Sequence, residues 1–227
     1  MQTRPVYDYW LLDLDGTLVD TEWAYVRETF DRVEDRLGVA FSDRQAEVLW
    51  HGLGGDRNVH LREWGYDPAD FWPVFDEIDD ATARAEATYL YDDAAFVADL
   101  DGPVGLVTHC PAPITDVVLD ELDLRGWFDV VLPCDEETGF KPDPDPLHRA
   151  RADLGVPDDA RGVYAGDGTS DIDAAANAGL DSIHVERHDP HRRGVCVLGD
   201  HRVESFDELV VRRERDRGTV NASERET

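Results

Sequence analysis

The stretch "WLLDLDGTLVDTE", Trp10 to Glu22, decides the fold. An apolar run passes straight into Asp13 and Asp15, which flank Leu14, and the chain then turns at Gly16. On a strand, residues two apart project from one face, so both carboxylates point the same way. Holding two like charges side by side is costly unless a cation or a proton lies between them. Asp and Gly also end strands as ordinary turn formers. Taken alone, the stretch is either a strand end or one side of a metal site.

Three further stretches bear on that choice. "GVYAGDGTSDIDAAANAGL", Gly162 to Leu180, is a short buried strand, a glycine loop and a small-residue helix that ends at Gly179. It puts Asp167 at the strand end and Asp171 at the helix start, where a capping role near Ser170 is the plain alternative. "TGFKPDPDPLHRA" carries Lys141, the one lysine in the chain, just before prolines that open a helix. An ammonium is a compact point charge, suited to meeting a carboxylate and a phosphate oxygen together. "GPVGLVTHCPAPITDVVLDEL" is a strand ending at Thr108, followed by a helix from about Pro113. Neither acidic cluster has the acid spacing of a calcium loop.

Apolar strands at roughly 7–13, 103–108, 128–132, 162–165 and 181–185 alternate with helical stretches, the pattern of an α/β, doubly wound parallel sheet. Such sheets bind ligands beyond the carboxyl ends of their strands. Asp13, Asp15, Thr108, Lys141 and Asp167 all fall at or just after those ends. Packing does not explain that clustering, whereas a metal and phosphate site does.

Composition narrows the partners. The 227 residues, 41% of them hydrophobic, suffice for a packed core carrying a smaller unit. With 51 acidic residues against 22 basic ones, the formal net charge is -29, which disfavours nucleic acid and anionic membranes as partners. No segment has the length of a membrane span, and "MQTRPVYDYW" lacks the features of a signal peptide, so a cytoplasmic location is expected. The three cysteines have no paired spacing that marks a disulfide framework or a zinc site. An acidic chain whose basic residues are arginine save one resembles, in composition, the proteins of halophilic archaea. At molar salt, screening reaches only about 3 Å, so such a charge is tolerable there.

"DLDGTLVD", "LVTHC", "KPDPDP" and "GDGTSDIDAAANAG", in this order, resemble the four motifs of the haloacid dehalogenase-like hydrolase superfamily, over about residues 6 to 185. The resemblance implies a Rossmann-like core and phosphoryl transfer assisted by Mg2+. It makes Asp13 the nucleophile and Asp15 the general acid and then base, with the Asp15 backbone carbonyl on the metal. It makes Thr108 and Lys141 holders of the transferring group, Asp167 a metal ligand, and Asp171 a second ligand or an orienter. Such chemistry asks for alignment and cations around spreading negative charge, which these residue types supply. An aspartate at position 15 favours phosphatases and phosphomutases within the superfamily. His109 departs from the asparagine or serine usual after the threonine, and is a candidate contact to substrate.

About 70 residues separate the first motif from the second strand, far more than a crossover needs. "TEWAYVRETFDRVEDRLG" puts Trp23, Val26, Phe30, Val33 and Leu37 on one helical face, Ser42 caps the next helix, and amphipathic stretches run to about Leu90. Insertion at this point resembles the helical cap of the phosphoglycolate phosphatase and β-phosphoglucomutase branch, which closes over small substrates. The expected division is a catalytic core of residues 1–19 and 90–211, a cap of 20–89, and a mobile polar tail of 212–227. "WHGLGGDRN" then offers Arg57 and His51 as contacts to a small phosphorylated metabolite, the alternative being a solvated turn. His184, His188 and His191 lack a metal spacing and are expected at the surface. The expected function is Mg2+-dependent hydrolysis of a phosphoglycolate-like phosphomonoester, with a β-phosphoglucomutase-type reaction second. A non-catalytic binding module on the same scaffold is disfavoured, since no motif residue is missing.

Overall fold

The computed structural model describes residues 7–209. Six parallel strands form one sheet in the order β5-β4-β1-β6-β7-β8. They are β1 (Tyr9–Leu12), β4 (Val104–Thr108), β5 (Val130–Pro133), β6 (Gly162–Gly166), β7 (Asp181–Val185) and β8 (His201–Val203). β1 lies in the middle, with Leu12 opposite Leu106 on one side and Ala165 on the other. The expected strands are present, with β1 and β5 each beginning two residues later than read and β8 added at the edge. Helices α6 (Ala112–Glu121), α7 (Asp145–Asp153) and α8 (Thr169–Ala178) cross between them, and the short α9 (Pro190–Arg193) follows β7.

Alternation along β1 builds both faces of the core. Trp10 and Leu12 join one apolar cluster with Leu106, Ile114 and Val118, while Tyr9 and Leu11 join another with Leu147, Ala150 and Ala174. Burial of each such leucine contributes roughly 1.5–3 kcal/mol of transfer free energy.

Between β1 and β4 the chain leaves the sheet through an antiparallel pair, β2 (Val19–Thr21) and β3 (Thr88–Leu90). Five helices lie between these strands: α1 (Trp23–Leu37), α2 (Asp43–His51), α3 (Arg57–Glu63), α4 (Pro68–Ile78) and α5 (Ala81–Glu86). The first four enclose their own core around Val26, Phe30, Val33, Phe41, Leu49 and Phe71, while Ala85 on α5 joins the core of the sheet. Ser42 caps α2 as expected: its hydroxyl accepts from the Gln45 N–H, and the Gln45 side chain accepts from the Ser42 N–H. Trp23 does not join this core. It sits in the first turn and stays 39% exposed, the apolar face beginning at Val26. The tail expected at 212–227 lies outside the described residues.

Candidate active site

The catalytic candidates gather where the central strands end. β1 stops as the Asp13 N–H donates to the Ala165 carbonyl, and the chain then winds a tight turn in which the N–H groups of Leu18 and Val19 both donate to the Leu14 carbonyl. Gly16 stands at φ +73° against Asp167, so a Cβ there would lie 2.7–2.9 Å from that carboxylate. Only glycine allows the turn and the second acidic loop to meet so closely. Gly166 has the same office on the other side, since a Cβ would strike the Asp171 side chain at 2.4 Å.

Lys141 is the hub. Its ammonium donates to Asp13 Oδ1 at 2.7 Å, Asp171 Oδ1 at 2.7 Å, the Tyr164 hydroxyl at 2.9 Å and the Val107 carbonyl at 3.4 Å. Asp171 Oδ2 accepts the Gly168 N–H at 2.9 Å, so this residue both opens α8 and orients Lys141. The Thr17 hydroxyl stands 3.4 Å from Asp13 Oδ2 and 3.3 Å from Asp167 Oδ1. Its single proton serves one of them at a time, which leaves acceptor capacity facing the same space.

Asp13, Asp167 and Asp171 are buried, and each offers an oxygen within 4.8 Å of the others. Three carboxylates thus face one ammonium. Burial pushes the Asp13 pKa well above the usual carboxylate range, Lys141 opposing and Asp171 and Asp167 adding to the rise. Burial alone would lower Lys141, yet Asp13 and Asp171 outweigh it and hold its pKa well above the ordinary lysine value. The two directions agree: the ammonium is fixed, and the excess negative charge falls on the carboxylates. A hard divalent cation such as Mg2+ suits this donor set, all oxygen and short of positive charge.

The other expected residues surround this cluster. Thr108 ends β4 beside β1, buried, its hydroxyl accepting from the Cys110 N–H at 3.0 Å. The His109 ring lies against Phe140, and its buried Nε2 has no hydrogen-bond partner among the described residues. Burial, with Lys141 and Arg57 nearby, pushes its pKa down to about 2 and keeps the ring neutral. Asp15 stands apart from the acidic cluster, its Oδ1 3.0 Å from Nη2 of Arg84 on α5. Arg57 stacks over Trp72 at 5.0 Å. His51, at the end of α2, has its ring 4.5 Å from that of His188, on the Asp167 side of the cluster.

The histidines correct the sequence reading. His184 is fully buried in β7 with Nε2 3.1 Å from the Asp167 carbonyl, and His188 lies 3.5 Å from Asp167 Oδ2. Only His191 of the three is exposed: Arg193 and the chain at Gly199 close on His184, and His51 from α2 lies against His188. Sequence reasoning also missed Thr17, Tyr164 and Arg84. Thr17 stood in the decisive stretch and follows the glycine of the turn, but nothing in "ATARAE" singles out an arginine.

Comparison with known proteins gives this geometry its family. The family model described as "haloacid dehalogenase-like hydrolase" matches residues 7–179. The chain belongs to the haloacid dehalogenase-like hydrolases. The phosphoglycolate phosphatase of Escherichia coli (strain K12) is 29% identical over 202 residues, covering 75% of this chain and 78% of its own. That of Salmonella typhi is 28% identical over the same span. Among solved structures, CbbY from Rhodobacter sphaeroides in complex with phosphate has a TM-score of 0.69 at 26% identity, covering 90% of this chain and 96% of its own. Magnesium-bound YfnB from Bacillus subtilis shares the fold, with a TM-score of 0.63 at 17% identity over 91% of this chain and 98% of its own. As a haloacid dehalogenase-like hydrolase with phosphatase relatives, the chain is an enzyme, a phosphatase.

Proposed function

We propose that this hydrolase is a Mg2+-dependent, cytoplasmic phosphatase that cleaves a phosphoglycolate-like monoester through a phosphoaspartate on Asp13. The observation that carries it is the buried Asp13–Lys141–Asp171 triad beside Asp167, with Asp15 on the same turn. A phosphatase is favoured over a phosphomutase by the names of the relatives at 28–29% identity.

In this scheme Asp13 Oδ2 attacks phosphorus as the ester P–O bond breaks, and Asp15 gives a proton to the leaving oxygen. A water then attacks phosphorus, returns a proton to Asp15, and frees Asp13 with inorganic phosphate. Lys141 holds Asp13 by Oδ1, which leaves Oδ2 to react, and shares the charge of the transferring group. Thr108 and the N–H groups beyond it hold phosphoryl oxygens. Asp13, Asp167 and the Asp15 carbonyl would hold Mg2+, with Asp171 as orienter, and the bound ion would offset phosphate charge during transfer. The five helices between β2 and β3 act as a cap that keeps bulk water off the phosphoaspartate.

Phosphate release from a panel of small phosphomonoesters, in molar KCl with and without Mg2+, tests this. Release must need the ion and vanish in Asp13→Asn. Full activity in that variant removes the phosphoaspartate. Turnover only with a sugar bisphosphate and no net phosphate release identifies a mutase.

A further inference from the structure

We infer that Arg84 is the specificity-determining residue: it locks Asp15 until a substrate carboxylate, one or two carbons from the ester oxygen, takes the guanidinium away. This rests on the phosphatase role proposed above.

The guanidinium is held on two sides, and on a third its donors are only half used. Nη1 donates to Asp79 Oδ2 at 2.7 Å, and Asp79 is held in turn by the Tyr25 hydroxyl at 2.8 Å. The plane lies over the Trp50 ring at 4.6 Å. Nη2 reaches Asp15 Oδ1 at 3.0 Å by a single bond, and the buried Nε has no partner among the described residues. The Nε and Nη2 protons form one edge of the fork, the edge that grips a carboxylate with two parallel bonds. Asp15 uses half of that edge, whereas a substrate carboxylate would use all of it. Asp79, Tyr25 and Trp50 all belong to the helical insert, so the guanidinium keeps its seat when Asp15 lets go.

Reach sets the substrate class. To pass its proton, Asp15 must stand within hydrogen-bond distance, about 3 Å, of the leaving oxygen. Arg84 touches the same carboxylate. With bonds of about 1.5 Å, an anionic group one or two carbons along falls to the guanidinium, and a longer chain carries it past. Arg57 is near enough to Arg84 for the two cations to repel, which adds positive potential where the acid tail arrives. The Asp15 oxygen that holds a guanidinium is not at the same time aligned on a leaving oxygen. A phosphomonoester without the acid group leaves the lock shut.

The test compares phosphoglycolate with 2-hydroxyethyl phosphate, in which a hydroxymethyl group replaces the carboxylate. Wild type is expected to prefer phosphoglycolate in kcat/KM, and Arg84→Ala to lower that preference on the order of 10- to 100-fold, the range for a hydrogen bond to a charged group. Most of that change falls in KM for phosphoglycolate, while kcat on the hydroxyethyl ester rises as Asp15 is freed. Arg84→Lys, a charge without a fork, is expected to keep part of the preference. An unchanged preference in a folded Arg84→Ala overturns the inference and leaves the phosphatase role standing. If Arg84→Ala does not fold, an unchanged preference in Arg84→Lys overturns it equally. No phosphate release from either ester by the wild type removes both.

Discussion

Replacing Lys141 by methionine tests the electrostatic account of the site most directly. The side chain keeps its length and loses its charge. Lys141 is buried, and its ammonium is the hydrogen-bonded partner of both Asp13 and Asp171 at 2.7 Å. Breaking a buried ion pair by deleting one member costs about 3–5 kcal/mol, because the other charge stays buried without compensation. For a chain of this size each kcal/mol moves the melting temperature by about 2–4 °C, so a drop of about 10 °C is expected.

The cost depends on pH, and its sign follows from Asp13. Burial already raises the pKa of this carboxylate in the folded protein, and Lys141 opposes the rise. Without the ammonium the folded-state value climbs further, while the unfolded value stays near 3.9. Below the unfolded value both states are protonated and nothing is lost. Above it, folding must take up a proton, and the penalty grows by about 1.4 kcal/mol per pH unit until the folded value is passed. Lys141→Met is therefore destabilised more at about pH 8 than at about pH 5. Mg2+ is expected to restore part of the loss, since it supplies the missing positive charge. The assay is thermal unfolding by circular dichroism in molar KCl, with EDTA or Mg2+, at both pH values. A variant that melts with the wild type at the higher pH in EDTA refutes the reasoning.

Two more outcomes follow from the same charges. His109, pushed down to about 2 by burial and by Lys141 and Arg57, stays neutral when folded and takes a proton below about 6.5 when unfolded. Stability should then fall as pH drops through 6.5, by up to about 1.4 kcal/mol per unit, and His109→Asn should flatten that dependence; parallel urea midpoints for both proteins would count against it. The net charge of -29 should make the melting temperature and the activity rise from dilute buffer to molar KCl, and a melting temperature indifferent to salt sinks the halophilic reading.

The sheet was legible because its strands are short apolar runs ending in chemistry-bearing residues, and a parallel sheet collects such ends at one edge. Asp13, Asp15, Thr108, Lys141 and Asp167 could be placed at one edge on that ground, although 128 residues separate Asp13 from Lys141, whereas the role of Asp171 came from the family resemblance. Arg84 could not. It meets Asp15 across 69 residues, from a helix whose sequence has no motif, and only the way the insert docks on the core brings the two together. β2 and β3, three residues each, are too short to show a period of two. The histidines failed for another reason: Arg193 and the chain at Gly199 cover His184 and His51 covers His188, contacts from distant segments that no local pattern shows.

The single lysine among arginines follows from the shape of its site. Lys141 meets acceptors that converge from four elements: Asp13 after β1, Val107 on β4, Tyr164 on β6 and Asp171 on α8. An ammonium can face them from one point, with three rotatable protons, whereas a planar fork spreads its donors along fixed edges. Arginine stands where acceptors lie side by side. Arg84 bridges Asp79 and Asp15, and Arg187 grips both oxygens of Asp93 while donating to the Thr17 carbonyl at 2.9 Å. Those two arginines brace opposite sides of the turn that carries Asp15, one from the helical insert and one from the core. A chain that has given up lysine at every other position keeps it where the acceptors surround a point.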